Sequence, residues 1–350
     1  TTIWGTSSSW TLTALPLFVW MGEILFRTKL SENLFKGLAP WMSRLPGGLI
    51  HVNVVGCALF AAISGSSAAT VATVGKMSIP ELRKRNYPEK LLLGSLAGSG
   101  TLGLLIPPSI ILIIYGVTVQ ESIAKLFIAG IIPGIMIAIF FMLYVIGWSI
   151  LNKDSMPKTE EVFSFSQKIK DSGQLIPVIV LITAVIGSIY LGIATATEAA
   201  SLGVVGALIL SFFQKSLNKE TFKSSLLGAT KTSCMIAFIL AGSSFLSLAM
   251  GFTGLPRNLA IWIQEMNLSP YVLIMVLTFF YIILGMFLDG ISAVVLTMAI
   301  IEPMIRQAGF DMIWFGVFLV IVVEMAQITP PVGFNLFVLQ GMANKDMGFI

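Results

Sequence analysis

The sequence predicts an all-α polytopic membrane protein with inverted repeats, two re-entrant helical hairpins and two discontinuous helices. Three observations support this fold class: the composition, the length of the apolar runs, and a match of the chain to itself. Of the 350 residues, 56% are hydrophobic and 11% are charged, and the mean hydropathy is +0.92. A soluble domain needs less apolar surface to fill its core. Apolar runs of about 17–25 residues, the length of a membrane-spanning helix, recur along the chain.

The composition also excludes several classes of function. The two cysteines, Cys57 and Cys234, lie in apolar runs, which argues against a disulfide framework, and the single histidine, His51, cannot form a zinc site alone. The net charge of +4 comes from scattered loop residues, so no nucleic-acid partner is expected. Neither a nucleotide-binding P-loop nor a G-x-S-x-G motif occurs. We therefore expect a protein that is not an enzyme, has no cofactor, and draws energy from an ion gradient or a partner.

The apolar pattern divides the chain into continuous spans and interrupted stretches. Continuous spans are predicted at about 8–28, 123–151, 173–192, 194–213 and 225–250, and amphipathic segments at 31–46 and 255–266. Interrupted apolar stretches are predicted at 48–80, 89–120, 270–303 and 311–343. Four parts result: 1–47, a scaffold span and arm helix; 48–150, a first repeat with hairpin, broken helix and following span; 151–224, a cytoplasmic loop and scaffold spans; and 225–350, a second, inverted repeat that is truncated at its C-terminus.

The distribution of positive charge predicts the orientation in the membrane. If the stretches 48–80 and 270–303 enter and leave on one side, most Lys and Arg residues share a side, and Lys125, Arg257 and Arg306 fall opposite. Cytoplasmic loops of membrane proteins carry an excess of Lys and Arg. The predicted location is therefore multi-pass in the bacterial inner (cytoplasmic) membrane, in contact with the lipid bilayer.

A duplication relates the two halves of the chain. The segment "TKLSENL" matches "TGLPRNL", and Gly65 falls on Gly290 at an offset of 225 residues. Farther on, the offset is 223, and the pair Pro107–Pro108 falls on Pro330–Pro331. With the orientation above, the two copies are inverted, which is typical of secondary transporters. The second copy ends where its next span should begin, so we expect that about one helix is missing from the C-terminus.

Small and polar residues interrupt the two hairpin stretches. In "SGSSAAT", from Ser64 to Thr70, unwinding would free carbonyls and hydroxyls for sodium and amides for an anion. A small-residue seam for helix packing is the alternative. The matching segment "FLDGIS" places Asp289 in an apolar stretch, where a carboxylate is costly and is a candidate for pairing with a cation. A structural acid or a helix cap is the alternative at Asp289.

Adjacent prolines interrupt the other two stretches. In "GSGTLGLLIPPS" and "ITPPVGFN" the prolines remove amide donors and break the helix. The carbonyls left without partners, with Ser99, Thr101, Thr329 and Asn335 nearby, can complete a cation site. A packing kink is the alternative, although the symmetric occurrence of double prolines favours a site.

Further charged residues have open roles. Four acidic residues lie close to or inside predicted spans: Glu23, Glu198, Glu302 and Glu324. They are candidates for proton or cation relays, but the first three lie at membrane interfaces and fit structural roles equally well. On the predicted outer side, Arg257 and Arg306 would meet a carboxylate substrate or a docking partner, or anchor the chain at the interface.

At these motifs the chain resembles the large membrane subunit of tripartite ATP-independent periplasmic (TRAP) transporters. The segments "HVNVVGCALFAAISGSSAAT", "GSGTLGLLIPPSI", "GIATATEAAS" and "ITPPVGFNLFV" are similar to that family's characteristic segments and occur in the same order. One departure is Ala196, where the family often has proline. The segment "FRTKLSENLFKGLAPWMSRLPG" is most similar to the sialic-acid branch. The resemblance implies a sodium-driven, elevator-type permease that works with a small membrane subunit and a periplasmic substrate-binding protein.

The motifs and the resemblance together predict the site residues, since the family places sodium at hairpin tips and helix breaks. The predicted sodium ligands are Ser64, Gly65, Ser66, Ser99, Thr101, Gly103, Asp289, Gly290, Ser292, Thr329 and Gly333. The predicted substrate contacts are Ser67, Pro107, Pro108, Pro330, Pro331, Asn335 and Arg257.

The predicted function is sodium-driven import of a small organic acid, with sialic acid (N-acetylneuraminate) suggested by the resemblance. A C4-dicarboxylate TRAP permease is one alternative. A binding-protein-independent sodium/dicarboxylate symporter of the same architecture would need neither partner. A scaffold protein without transport activity would tolerate substitution of the predicted ligands.

Overall fold

The fold is all-helical, as predicted. The computed structural model describes residues 10–28, 30–157, 164–254, 258, 261 and 269–350, and these contain helices and no strand. The α-helices are α1 (Ala14–Phe26), α2 (Leu30–Met42), α3 (His51–Ser64), α4 (Ser67–Lys84), α5 (Glu89–Gly100), α6 (Leu102–Leu105), α7 (Ile110–Val119), α8 (Ile123–Leu151), α9 (Phe165–Ser172), α10 (Ile176–Tyr190), α11 (Ala196–Phe213), α12 (Lys219–Thr253), α13 (Pro270–Gly285), α14 (Gly290–Gln307), α15 (Met312–Gln327) and α16 (Phe334–Ala343).

Several of these helices can cross a membrane. Within the described residues, five stretches are long and apolar enough: Glu89–Val119, which joins α5 to α7, and the helices α8, α11, α12 and α14. The pair α9 and α10, bent by 52°, forms a sixth if it is counted as one span. Shorter apolar helices include α1, α13, α15 and α16. The multi-span class predicted from hydropathy is therefore confirmed.

The helices α3 and α4 form the first hairpin. The helix α3 ends at Ser64 because Gly65 has a φ of 59°, a left-handed conformation that favours glycine. Ser66 is extended, and its hydroxyl accepts a hydrogen bond from the Ala69 amide at 3.5 Å, which caps α4. The two helices pack against each other. The interruption predicted within 48–80 is therefore a two-residue turn.

The helices α13 and α14 form the second hairpin, in a looser arrangement. Residues 286–289 join them, and Asp289 caps α14. The helix α13 packs mainly against α15, and α14 packs against α7 and α15. This hairpin is therefore held mainly by contacts with other helices, and less by contacts between α13 and α14. Entry of each hairpin from one side of the membrane stays a prediction.

Both double prolines break a helix where the sequence predicts. The first break lies between α6 and α7 and contains a cis peptide bond between Pro107 and Pro108. The second lies between α15 and α16 and contains a cis bond between Pro330 and Pro331. The new helices begin differently, because the Ser109 hydroxyl caps α7 whereas α16 begins after Gly333, which is left-handed with a φ of 57°.

The remaining helices pack largely against one another. The helix α1 packs against α11 and α12, and α10 packs against α11. The predicted arm helix α2 packs against α9, where the Trp41 indole donates a hydrogen bond to the Ser172 hydroxyl at 2.7 Å and the Lys168 ammonium lies 5.4 Å from the Trp41 ring. The second predicted amphipathic segment, 255–266, lies almost wholly outside the described residues. The division of the chain into four parts stays a prediction.

Candidate functional site

The tips of both hairpins meet at the start of α7. The Ile110 amide donates a hydrogen bond to the Gly65 carbonyl at 3.3 Å. A Cβ on Gly290, at the second tip, would lie 3.2 Å from the side chain of Ile111, which follows Ile110 in α7. Because the tips come from different repeats, one compact site combines residues that are far apart in the chain. We call Gly65, Ser67, Ile110, Gly290 and Gln327 the cross-repeat cluster.

Gln327 connects the two tips. The Ser67 hydroxyl donates a hydrogen bond to the Gln327 side-chain oxygen at 2.7 Å. On the other side, the Gln327 side-chain nitrogen would lie 2.9 Å from a Cβ on Gly290. Gln327 is 3% exposed and ends α15, one residue before the break begins. The sequence analysis missed this residue, although a polar side chain next to "ITPP" in an apolar run was a usable signal.

The first tip gathers oxygen atoms. The Thr70 hydroxyl donates to the Ser66 carbonyl at 2.8 Å and lies 2.9 Å from the Ser64 hydroxyl. Gly103 lies against this group, because a Cβ there would be 2.5 Å from the Ser66 carbonyl oxygen. Carbonyl and hydroxyl oxygens are ligands suited to hard cations. The structure thus brings together the predicted residues Ser64, Ser66 and Gly103, and it adds Thr70.

Ser99 and Thr101 are bonded elsewhere. The Ser99 hydroxyl donates to the Ser95 carbonyl at 2.5 Å and to the Asn53 carbonyl at 3.4 Å. The Thr101 hydroxyl donates to the Gly98 carbonyl at 2.7 Å, within its own turn. Both side chains are buried. These bonds stabilise α5 and its contact with α3, and a role in sodium binding stays a prediction for both residues.

At the second tip, Asp289 is a helix cap. Its carboxylate accepts hydrogen bonds from the amides of Ile291 at 3.1 Å and Ser292 at 3.2 Å, and from the Ser292 hydroxyl. A negative charge at a helix N-terminus is stabilised by the helix dipole. This is the structural alternative considered for Asp289, and it does not exclude a cation partner because the side chain is only partly buried. Pairing of Asp289 and Ser292 with sodium stays a prediction.

The second break carries an unpaired polar group. Asn335, in the first turn of α16, has 0% exposure, and neither its side-chain oxygen nor its nitrogen has a partner among the described residues. Buried amides normally have partners, and contact of this one with a substrate stays a prediction. The Thr329 hydroxyl donates to the Met325 carbonyl at 2.6 Å, and Pro330 and Pro331 are exposed. Arg257, the remaining predicted contact, lies outside the described residues.

The structure distinguishes the four glutamates that the sequence analysis considered as relays. Glu198 is exposed and forms a capping box with Thr195. Glu23 forms an ion pair with Arg27, and Glu302 forms one with Arg306 at 2.9 Å. Structural roles therefore account for these three, as the interfacial interpretation allowed. Glu324 is different, since it is 3% exposed and its Oε1 atom has no hydrogen-bond partner among the described residues.

The whole chain matches one protein family. Residues 1–350 match the family model described as the DctM component of tripartite ATP-independent periplasmic transporters. The chain belongs to this family. The TRAP resemblance stated from the motifs is therefore confirmed, and the chain is a transporter permease and not an enzyme.

Named relatives of this TRAP permease transport different substrates. The C4-dicarboxylate TRAP transporter large permease protein of Pseudomonas aeruginosa is 31% identical over 98% of this chain and 80% of its own length. The 2,3-diketo-L-gulonate TRAP transporter large permease protein of Escherichia coli is 32% identical over 96% of this chain and 79% of its own. The isethionate TRAP transporter permease protein of Oleidesulfovibrio alaskensis is 32% identical over 97% of this chain and 53% of its own.

A solved structure shares the fold. The crystal structure of the YdaH transporter of Alcanivorax borkumensis superposes with a TM-score of 0.70, covering 100% of this chain and 82% of the other, at 13% sequence identity. At this identity the comparison concerns the fold alone. It agrees with the arrangement of apolar helices described above.

Proposed function

We propose that this TRAP permease imports a small organic anion across the bacterial inner membrane, coupled to sodium, together with a small membrane subunit and a periplasmic substrate-binding protein. The observation that carries the proposal is the cross-repeat cluster, in which two hairpin tips and a helix break from two repeats meet. Sites at the interface of repeats, built from broken helices, are typical of secondary transporters.

The first tip supports the sodium part of the proposal. Three oxygen atoms, on Ser64, Ser66 and Thr70, lie within hydrogen-bond distance of one another beside Gly103. A sodium ion would replace these mutual bonds with ion–oxygen contacts. Because the oxygens come from both helices of the hairpin, the ion would hold the tip in one conformation.

The helix termini support the anion part. The helices α4, α7 and α14 begin at or next to the cluster, with Ser67, Ile110 and Gly290 as their first residues. Helix N-termini carry partial positive charge, which favours an anion. The Asp289 carboxylate already occupies this position at α14, so the starts of α4 and α7 are the candidates. Asn335 adds an amide group that has no partner among the described residues. An organic acid that binds here would place its carboxylate toward the helix termini.

Two substrates are the leading candidates. Sialic acid is suggested by the segment "FRTKLSENLFKGLAPWMSRLPG". A C4-dicarboxylate is favoured by the named function of the relatives from Pseudomonas aeruginosa and Rhodobacter capsulatus. Both are organic anions, so the same chemistry of the cluster serves either one. We place sialic acid first and treat the C4-dicarboxylate as the alternative.

Reconstitution tests this function. The permease and its small membrane subunit are reconstituted into proteoliposomes under an inward gradient of sodium or of potassium. A binding protein loaded with radiolabelled N-acetylneuraminate or succinate is then added outside. We expect uptake that requires sodium and the binding protein. Uptake by this chain alone would identify a binding-protein-independent symporter, and equal uptake in potassium would refute sodium coupling.

Asp289→Asn separates the two roles of Asp289. Asparagine caps helices about as well as aspartate, so thermal stability should change little. If the carboxylate pairs with sodium, the variant should need a sodium concentration about tenfold higher for half-maximal uptake, since one charged contact contributes about 1–2 kcal/mol. A variant with an unchanged sodium requirement would show that Asp289 is only a cap.

A further inference from the structure

Glu324 is the acidic residue that the described contacts do not explain. Of the four glutamates considered as relays, three are exposed caps or members of ion pairs. Glu324 lies in the last turn of α15, is 3% exposed, and has an Oε1 atom without a partner among the described residues. A buried carboxyl group that is retained without a partner is a candidate functional group.

No cation among the described residues is placed to neutralise this carboxyl group. Six helices pack against α15, namely α6, α7, α8, α13, α14 and α16. Their titratable groups, with the cap of α14, are Tyr115, Lys125, Tyr144, Tyr271, Tyr281, Asp289, Glu302 and Arg306. The helix α4 also touches the end of α15 through Ser67, but its nearest charged residue, Lys76, lies nine residues farther along α4 and is exposed.

Five of these groups bond to partners other than Glu324. Tyr115 donates to the Met312 carbonyl at the opposite end of α15, Tyr281 bonds to Thr297, and Arg306 pairs with Glu302. Asp289 accepts hydrogen bonds from the start of its own helix. Lys125 is in the first turn of α8, and the residue after it, Leu126, contacts α15 near Gly316, far from Glu324.

The position of Glu324 also disfavours a negative charge. An unpaired carboxylate loses its hydration on burial and gains nothing in return. The C-terminal turn of a helix carries partial negative charge, which repels a second one. Both effects favour the neutral acid, in which one oxygen carries a proton.

Glu324 lies beside the cross-repeat cluster. It is three residues before Gln327, and residues at this spacing are neighbours on a helix surface. Gln327 in turn contacts the tips of both hairpins. A change of state that separates the tips from α15 would therefore bring water to this end of the helix.

We propose that Glu324 is protonated while both tips contact Gln327, which we call the closed arrangement, and that it releases the proton when the cluster opens to water. Each transport cycle then moves a proton on and off this residue. Binding of the proton is then linked to the conformational state, because burial favours the neutral acid and hydration favours the carboxylate. The link to a transport cycle rests on the uptake function proposed above, whereas protonation in the closed state does not.

Infrared spectroscopy of the purified permease, in complex with its small subunit, tests protonation without transport. A protonated acid has a carbonyl stretch that is absent from a carboxylate. We expect such a band at neutral pH in the wild type and its loss in Glu324→Gln. Glu302→Gln is the matched control, because it makes the same change on α14 at a residue paired with Arg306, and it should keep the band. A spectrum without a band assigned to Glu324 overturns the proposal.

The pH dependence of uptake tests the exchange. If the residue must be reprotonated in each cycle, uptake should fall as pH rises through the alkaline range, by up to about tenfold per pH unit. Glu324→Gln cannot lose a proton and should show a flat profile at whatever rate it retains. Glu324→Asp keeps a titratable group and should keep a pH dependence, as should Glu302→Gln.

The outcomes separate the two proposals. A profile in Glu324→Gln that follows the wild type overturns the proton exchange and leaves the uptake function intact. Absence of uptake in the wild type with either candidate substrate counts against the proposed function, and the infrared band then decides the protonation of Glu324. If Glu324→Gln is correctly assembled but inactive, the infrared band decides whether Glu324 is protonated.

Discussion

The two repeats share a sequence pattern, but they leave different groups unsatisfied. At the first tip, Ser64, Ser66 and Thr70 bond to one another, and the tip is tied to the first break through the Gly65 carbonyl. Beside the second break, Glu324 and Asn335 are buried and have atoms that lack partners among the described residues, whereas the unpartnered atoms of the first repeat, such as those of Asn53 and Thr73, are not among the predicted site residues. Under the proposed function, the first tip would be the ion site and the second break would bind further ligands.

The largest combined effect on stability and uptake is expected at Gly103, where α6 packs against the first tip. A Cβ there would lie 2.5 Å from the Ser66 carbonyl oxygen and 2.7 Å from the Thr70 hydroxyl, so Gly103→Ala must displace backbone. We expect a loss of about 1–3 kcal/mol in stability and at least a tenfold loss of sodium-dependent uptake. Gly94→Ala is the control, because nothing lies within 4 Å of a Cβ at that residue. Thermal unfolding and uptake that are the same in both variants would refute the close packing.

An intermediate effect is expected where the repeats meet, at Ser67 and Gln327. Removing either partner leaves a buried polar group unpaired, which costs about 1–3 kcal/mol. Ser67→Ala, Gln327→Leu and the double variant form a thermodynamic cycle, to be measured by chemical unfolding of the assembled complex. We expect the double variant to be more stable than the sum of the single effects implies, by at least about 0.5 kcal/mol. Strict additivity would mean that the observed hydrogen bond does not couple the tips.

The smallest effect on stability is expected at Asn335, in the second repeat. Because its amide has no partner among the described residues, Asn335→Leu removes an unsatisfied group and keeps a similar volume. Stability should stay within about 1 kcal/mol of the wild type, or rise, while uptake falls. Leu336→Asn, at the next buried residue, adds a polar group to the core and is the contrasting variant. If Asn335→Leu lowers stability by more than about 1 kcal/mol while the remaining folded protein takes up substrate at the wild-type rate, Asn335 is structural and contacts no ligand.

The sequence predicts the fold well because membrane helices follow local rules. Hydropathy locates the spans, the glycine and serine residues near Ser64 locate the first turn, and the double prolines locate both breaks. Each of these signals depends on a few adjacent residues. The meeting of Ser64, Ser66 and Gly103 follows from the family resemblance in combination with these breaks.

The bond between Ser67 and Gln327 was not predictable in the same way. These residues are separated by 260 positions, and only the packed arrangement of the repeats brings them together. Thr70 was missed for a smaller reason, since a threonine in the first turn of a helix usually bonds to its own backbone. It does so here, but it also faces Ser64.

The four acidic residues were separable in principle. Glu23 precedes Arg27 by four residues, and Glu302 precedes Arg306 by the same spacing, which is the spacing of ion pairs on a helix. Thr195 and Glu198 have the spacing of a capping box. Applying these rules to the sequence would have left Glu324 as the one without a local partner.

The glycines at the two tips have consequences for suppressor genetics. At Gly290 the obstacle to a side chain is partly the Val323 methyl group, which would lie 2.7 Å from an added Cβ, so a second mutation such as Val323→Ala has something to relieve. At Gly65 the obstacle is the Pro108 carbonyl oxygen at 2.6 Å, together with a left-handed φ of 59°. No side-chain change removes a backbone carbonyl. A selection for revertants should therefore recover second-site mutations for Gly290→Ala and only true reversions for Gly65→Ala.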